Sequence, residues 1–371
     1  MMSTWVRIAA ILVFALGLAG PAGADEKVKL EVVAELQDAP GNITLTPDGR
    51  MIISLHQFYG PKVRVAEVGK DGSLKPFPNA AWNGNEGPYT FDAVLGVQSD
   101  TRGVVWMLDN GGRRGTSPKL VGWDSRSNKL AKLIEISPEA APGGSFLNDL
   151  AIDSERQVAY IADTGNIRTG KNAALIVVDL RNGQARRLLH DHATVIAKDE
   201  DFVAEGRTLK VAPENGEPFN PRVAADPIAL GPENVWLYYG PMTGDTLYRI
   251  RTDDLRDETL DGAALGAKVE SYGPRPYSDG ISVDTAGNVY ISAVQSNALG
   301  VLGSDGKYRE LIRDDDKLAW PDAMSFGPDG MLYVVVNQLH RTTVLNGGKN
   351  LSKPPFYIVR LKPLANGVVG R

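Results

Sequence analysis

LNDLAIDSERQVAYIADTG, residues 147–165, holds two short apolar runs on either side of a charged turn. Neither run is long enough for a helix, and no 3.6-residue period joins them, so the stretch reads as strand, turn, strand. The same pattern recurs along the chain. Ile43–Leu55 is centred on Pro47-Asp48-Gly49, Ala93–Leu108 on Asp100-Thr101-Arg102-Gly103, and Leu150–Ile161 on Asp153-Ser154-Glu155-Arg156. Ile228–Tyr239 follows around Gly231-Pro232-Glu233-Asn234, then Ile281–Ile291 around Asp284 to Asn288, then Met324–Val336 around Pro328-Asp329-Gly330. The copies recur about every 50 residues, room for four strands each. The exception falls between the third and fourth, where roughly residues 190–222 are inserted. Sheets repeated in this way bury their apolar faces against their neighbours. The expected fold is all-β: one six-bladed β-propeller of four-stranded blades over residues 25–371.

The first 24 residues read differently. Arg7 precedes an apolar run, Ile8 to Leu18, and Ala22-Gly23-Ala24 is a small-residue cleavage pattern. That is the layout of a secretory signal peptide with a mature start at Asp25, and the run is short for a membrane span. The expected location is therefore secreted or periplasmic, with no membrane partner after cleavage. Hydrophobic residues at 43% and charged residues at 23% are the proportions of a packed globular chain and exclude a disordered one. A net charge of −5 without a basic cluster gives no electrostatic case for nucleic acid. The chain has no cysteine, which excludes disulfides, thiol catalysis and thiolate metal sites. Its stability rests on its own core, which a chain of 371 residues can bury.

Asp149, Asp226, Asp279 and Asp322 each stand at the start of the first strand of their copy. Eleven residues after three of them comes Tyr160, Tyr290 or Tyr333; after Asp226 the same step reaches Leu237. Four successive copies thus present an acidic residue at one expected structural position, converging on a mouth of the central channel. Such a ring can work in three ways. With Asn148, and with Asp92 or Asn42, it could hold a hard divalent cation such as Ca²⁺, with Asn148, Asp226 and Asp279 as ligands. Crowded carboxyls could raise one another's pKa and give Asp149 and Asp279 an acid–base role, with Asn148, Asp226 and Asp322 binding a ligand. Or each Asp could simply pin a turn.

His56 and His340 end strands in the first and last copies, which are neighbours in a closed ring, and so are expected on one rim as ligand-binding residues. His190 and His192 open the insertion and read as loop. Gly165 to Lys171 has phosphate-loop spacing, but Asn172 stands where Ser or Thr is needed, so it reads as a strand connection. Trp106, Trp236, Tyr238 and Tyr239 read mainly as core.

Five segments carry a family resemblance. They are Ile52-Ile53-Ser54-Leu55 with Gly60-Pro61; Leu95 to Ser99 through Val105 to Gly111; Ser117 to Leu120 with Trp123-Asp124; Leu147 to Leu150 through Tyr160 to Gly165; and Leu237 to Tyr239 with Asp245 to Ile250. In order and spacing they resemble the yellow / major royal jelly protein family. The resemblance implies a secreted six-bladed propeller with a small-molecule site at the channel mouth, in a family linked to dopachrome tautomerisation and to amine binding. A looser resemblance, carried by Asn148-Asp149 and Ser278-Asp279-Gly280, is to the senescence-marker / gluconolactonase propellers, and implies a metal-dependent lactonase. Here the first copy offers Gly41-Asn42 where those enzymes have a Glu.

Overall fold

Each hairpin foreseen in the sequence is the inner half of a four-stranded antiparallel sheet. A computed structural model describes residues 28–85, 87, 89–112 and 114–371; the expected signal segment lies outside them. Blades 1 to 5 take their strands in chain order, starting at Pro40–Leu45, Val94–Ser99, Leu147–Asp153, Ala225–Leu230 and Ser278–Val283. Blade 6 takes Pro321–Phe326, Leu332–Val336 and Phe356–Leu361 from late in the chain and Glu31–Leu36 from its beginning. That pairing, Glu31 opposite Arg360 through Leu36 opposite Phe356, closes the ring.

Burial falls from axis to rim. Val94–Ser99, Ser278–Val283 and Pro321–Phe326 are buried at every position, whereas Lys129–Glu135 and Tyr308–Arg313 are largely open to solvent. The inner strands are accordingly continuous apolar or small-residue runs. Neighbouring blades share their cores: Tyr160 and Leu175 of blade 3 pack with Ile228, Leu237 and Tyr239 of blade 4.

The acids inside the repeated turns serve their own hairpins. Asp284 Oδ1 accepts the Ala286 and Asn288 N–H groups, and the Tyr290 hydroxyl donates to its Oδ2 at 3.0 Å. The Tyr333 hydroxyl donates to Asp329 in the same way at 2.8 Å. Tyr290 and Tyr333 are thus structural pins at the far end of the strands from the acidic ring, whereas the buried Tyr160 hydroxyl has no hydrogen-bond partner among the described residues.

Candidate functional site at the channel mouth

Every inner strand breaks register at the same place. The ladder slips between Pro40 and Ile43, Val94 and Val97, Leu147 and Leu150, Ala225 and Ile228, Ser278 and Ile281, and Pro321 and Met324. A bulge of this kind re-aims side chains away from the sheet. Here six bulges surround one axis. Their first positions are Gly41, Leu95, Asn148, Asp226, Asp279 and Asp322, and all six line one cavity of about 180 Å³.

This register corrects the sequence reading at one point. Asn148, not Asp149, is the equivalent of Asp226, Asp279 and Asp322; Asp149 is the next residue, equivalent to Asn42. The eleven-residue step to Tyr160 survives because the blade 3 hairpin is one residue longer, Ala151 facing Tyr160 where Ser282 faces Tyr290. Blade 4 has the longer hairpin too, so the equivalent tyrosine there is Tyr238, opposite Ala229, and not position 237.

Asp149 Oδ1 accepts the Leu150 N–H at 2.9 Å and Asn42 Nδ2 at 3.0 Å. Asn42 is itself held, donating its N–H to Ser54 Oγ and accepting the Ile43 N–H. Asp279 Oδ2 accepts Trp320 Nε1–H at 2.6 Å, and Asp322 Oδ2 accepts Asn337 Nδ2 at 2.6 Å. Asp226 Oδ2 is buried without a hydrogen-bond partner. Asp226, Asp279 and Asp322 are 2%, 6% and 8% exposed as residues, and burial of this degree disfavours the ionised carboxylate.

The pKa values follow from this enclosure. Burial raises Asp149 to about 7, the charge of Asp279 adding to it and the Leu150 and Asn42 donors opposing. Burial likewise raises Asp279 to about 7, against the Trp320 indole and a hydrogen bond with Asp322. Asp226 and Asp322 are pushed well above the usual carboxylate range, first by burial and then by the other acids of the cluster. Arg275 is a weak counterweight at Asp226, and its guanidinium is spent on the carbonyls of Pro241, Gly244 and Pro276.

Above this acidic floor the walls are apolar: Phe58, Phe146, Phe202, Met242, Trp320 and Leu345 among them. The insertion reaches over the mouth, since Phe202 and Leu209 line the cavity. Its hairpin, Val203–Ala204 with Arg207–Thr208, is knitted to the long excursion of blade 6: Lys210 N–H donates to Leu345, and Gly347 N–H to Lys210. Glu205, in a left-handed conformation at the hairpin tip, binds Arg341 and lies 2.9 Å from His340 Nε2. Burial lifts the Glu205 carboxyl, but its cationic partners outweigh this and hold it at about 2. Burial lowers His340 to about 4, so Arg341 is the partner charged at neutral pH. At the opposite end of the channel, Gly370 and Arg371 fill the axis, with Phe326 N–H donating to the Arg371 carbonyl.

The structure separates the other expected residues. His56 lines the cavity; its Nδ1 accepts the Phe58 N–H at 3.2 Å, which places the ring proton on Nε2, and burial lowers it to about 3. His340 does not line the cavity. It is buried behind Trp320, stacked at 5.4 Å, so its part is to hold the indole. Asp92 is also outside the lining, paired with Arg114 at 2.9 Å. Trp106, Trp236, Tyr238 and Tyr239 pack between blades. The sequence reading missed Trp320, Phe146 and Phe202. A signal existed for the first two: Phe146, Tyr277 and Trp320 each directly precede an inner strand, an aromatic position two residues ahead of Asn148, Asp279 and Asp322.

Among the described residues, no group of three or more His, Asp or Glu side chains is arranged to hold a metal ion. The set Asn148, Asp226 and Asp279 does not fit one well, because Asp279 Oδ2 is engaged by the Trp320 indole and blade 1 contributes Gly41 in place of an acid.

The sequence pattern described as "Major royal jelly protein" matches residues 93–362. The chain belongs to the major royal jelly protein family. It is 28% identical over 197 residues to major royal jelly protein 3 of Apis mellifera, covering 50% of this chain and 33% of that protein. It is 27% identical over 199 residues to major royal jelly protein 6 of the same organism, covering 50% and 42%. The matched region thus spans less than half the length of these relatives. Among solved structures, a regucalcin from Agrobacterium tumefaciens, described as a calcium-binding protein, superposes with a TM-score of 0.56 at 14% identity, over 93% of this chain and 98% of that one. A gluconolactonase from Xanthomonas campestris does so at 0.54 and 12% identity, over 90% and 89%. At such identities the likeness shows the propeller fold alone.

Proposed function

We propose that this member of the family is an exported propeller that binds, and converts by proton transfer, one small cyclic or aromatic molecule in the capped cavity. The observation that carries the reading is the cavity itself, where apolar walls lead down to four enclosed carboxyls, two of them near neutrality. Its size supports a single ring: about 150 Å³ is enough for a benzene, and this cavity holds about 180 Å³. Export is supported by the leader-like composition of residues 1–24.

The chemistry suited to such a floor is tautomerisation. At pH 7 a carboxyl with a pKa near 7 is present in both forms, the condition under which acid–base catalysis is most efficient. Ionised Asp149 or Asp279 takes a proton from the ring, the protonated partner returns one at another atom, and no net proton is consumed. His56 Nε2–H and the unpartnered Asp226 Oδ2 remain to orient ring substituents. Trp320 and Phe202, stacked at 5.4 Å, supply a face for the ring and exclude water. A metal-dependent lactonase is supported less, because the donor set is arranged for hydrogen bonding among the acids and the indole.

The experiment is a thermal-shift screen of cyclic and aromatic compounds, dopachrome-like ones included, followed by turnover assays on each hit. Stabilisation at saturation, with turnover lost in Asp149→Asn while binding persists, supports conversion. Binding without turnover reduces the reading to a carrier, and absence of any hit across the panel rejects the cavity as a ligand site.

A further inference from the structure

The cap over the cavity has an outer face with its own chemistry. Ile167, Leu209 and Val223 line the cavity, while their chain neighbours Arg168, Lys210 and Arg222 line a separate open groove of about 790 Å³. Lys171 and Lys198 also line this groove, against one carboxylate, Asp199. Counting Glu200, Asp201 and Asp245, which pair with these cations from just outside the groove, the five cations meet four acids, a local positive excess on a chain whose net charge is −5.

Two of the five are already answered. Lys198 pairs with Asp245 at 2.5 Å, and Arg222 with Asp199 and Asp201 at 3.2 Å. Arg168, Lys171 and Lys210 are exposed and make no ion pair among the described residues. The Arg168 side chain is held in place, and the backbones of the two lysines are tied down. The Arg168 guanidinium lies 4.0 Å over the Phe219 ring, with Nη2 donating to the Glu217 carbonyl at 3.1 Å. Lys171 sits in a loop closed by Asn166 N–H to its carbonyl, and the Lys210 backbone is bonded on both sides to residues 345 and 347. Unanswered cations in a concave surface focus a positive potential. A guanidinium fixed on an aromatic ring still presents its remaining N–H groups in the fork that suits a tetrahedral oxyanion. Phe219 and Ile196 add an apolar flank, and the volume exceeds what an ion alone fills.

We propose that this groove is a second binding site, for a phosphate or sulfate ester carried on a small organic molecule such as a sugar. Arg168, Lys171 and Lys210 hold the oxyanion, and Phe219 flanks the carbon skeleton. The site is separate from the acidic cavity and shares no lining residue with it.

The test is isothermal titration of the whole protein at fixed ionic strength with glucose 6-phosphate, glucose 6-sulfate and glucose. The expected result is saturable one-to-one binding of one or both esters and none of glucose, the preferred ester identifying the oxyanion. In Lys171→Gln/Lys210→Gln the affinity falls by about tenfold or more, the scale of a lost charge-assisted hydrogen bond. In Asp279→Asn it is unchanged. Both lysines are exposed, so the double variant should melt as the parent does. Absence of saturable heat for either ester, or equal affinity in the double variant, overturns the proposal.

Discussion

Replacing Asp279 by Asn should make this protein more stable at alkaline pH. The substitution keeps the shape, leaves an acceptor for the Trp320 indole and offers Asp322 an amide. What it removes is the ability to ionise. Asp279 folds with a pKa of about 7 against an ordinary 3.8. Below pH 3.8 folded and unfolded chains both hold the proton, and the residue contributes nothing to pH dependence. Between 3.8 and 7 the unfolded chain releases the proton while the folded one keeps it, so stability falls as pH rises, then levels off above 7. Three pH units at 1.36 kcal/mol each put the cost at roughly 4 kcal/mol at pH 8, an upper figure. The side chain is only 6% exposed, so solvent does little to screen it. Melting curves followed by circular dichroism from pH 4 to 9 should show the variant and the parent together at pH 4. At pH 8 the variant should melt about 5 °C higher. A variant that melts lower than the parent at pH 8 would refute the reasoning, because it would mean the carboxylate pins the blade and is not held there at a cost.

Three further outcomes follow from the same geometry. Gly280→Ala should destabilise by at least about 2 kcal/mol in denaturant unfolding, because its Cβ would lie 2.4 Å from the Asp322 carbonyl oxygen; a neutral result would mean that the bulges of blades 5 and 6 are not packed as described. Glu205→Gln should free the cap hairpin from Arg341, and limited proteolysis within residues 199–217 should speed up about tenfold or more, the factor that corresponds to 1.4 kcal/mol; an unchanged cleavage rate would show that the tip does not latch the cap. Millimolar Ca²⁺, Mg²⁺ or EDTA should leave the melting temperature unchanged. A resident ion at a hundred times its dissociation constant would stabilise by about 2.7 kcal/mol, so a rise with one cation reversed by EDTA would return the acidic floor to a metal role.

The propeller was legible because a radial array repeats its hairpin. Apolar runs around Pro47-Asp48-Gly49 and Pro328-Asp329-Gly330 carry the same information at opposite ends of the chain. Ring closure was not legible: Glu31–Leu36 pairs with Phe356–Leu361 across the whole chain, and no local pattern encodes that partner. The acidic floor was visible as Asp226, Asp279 and Asp322, but its register was misread in blade 3. A one-residue longer hairpin and a one-residue offset cancel there, so counting alone cannot separate Asn148 from Asp149. The cap lay beyond reach for a different reason. Phe202 meets Trp320, and Glu205 meets Arg341, through contacts between excursions that have no periodicity. His340 shows the limit of inference from rim position: it belongs to the last blade as expected, yet its ring supports the indole and does not line the cavity.

The measurement that bears most directly on the account is a ¹³C titration of the aspartate side-chain carboxyls in selectively labelled protein, assigned with Asp149→Asn and Asp279→Asn. The account predicts that the resonances of Asp149 and Asp279 titrate near pH 7, that those of Asp226 and Asp322 titrate well above the ordinary aspartate range, and that all four shift when a cavity ligand is added. If all four carboxyls titrate below about pH 5, within the ordinary range for aspartate, the floor is a ring of solvated turn acids and the proposed proton-transfer site does not exist.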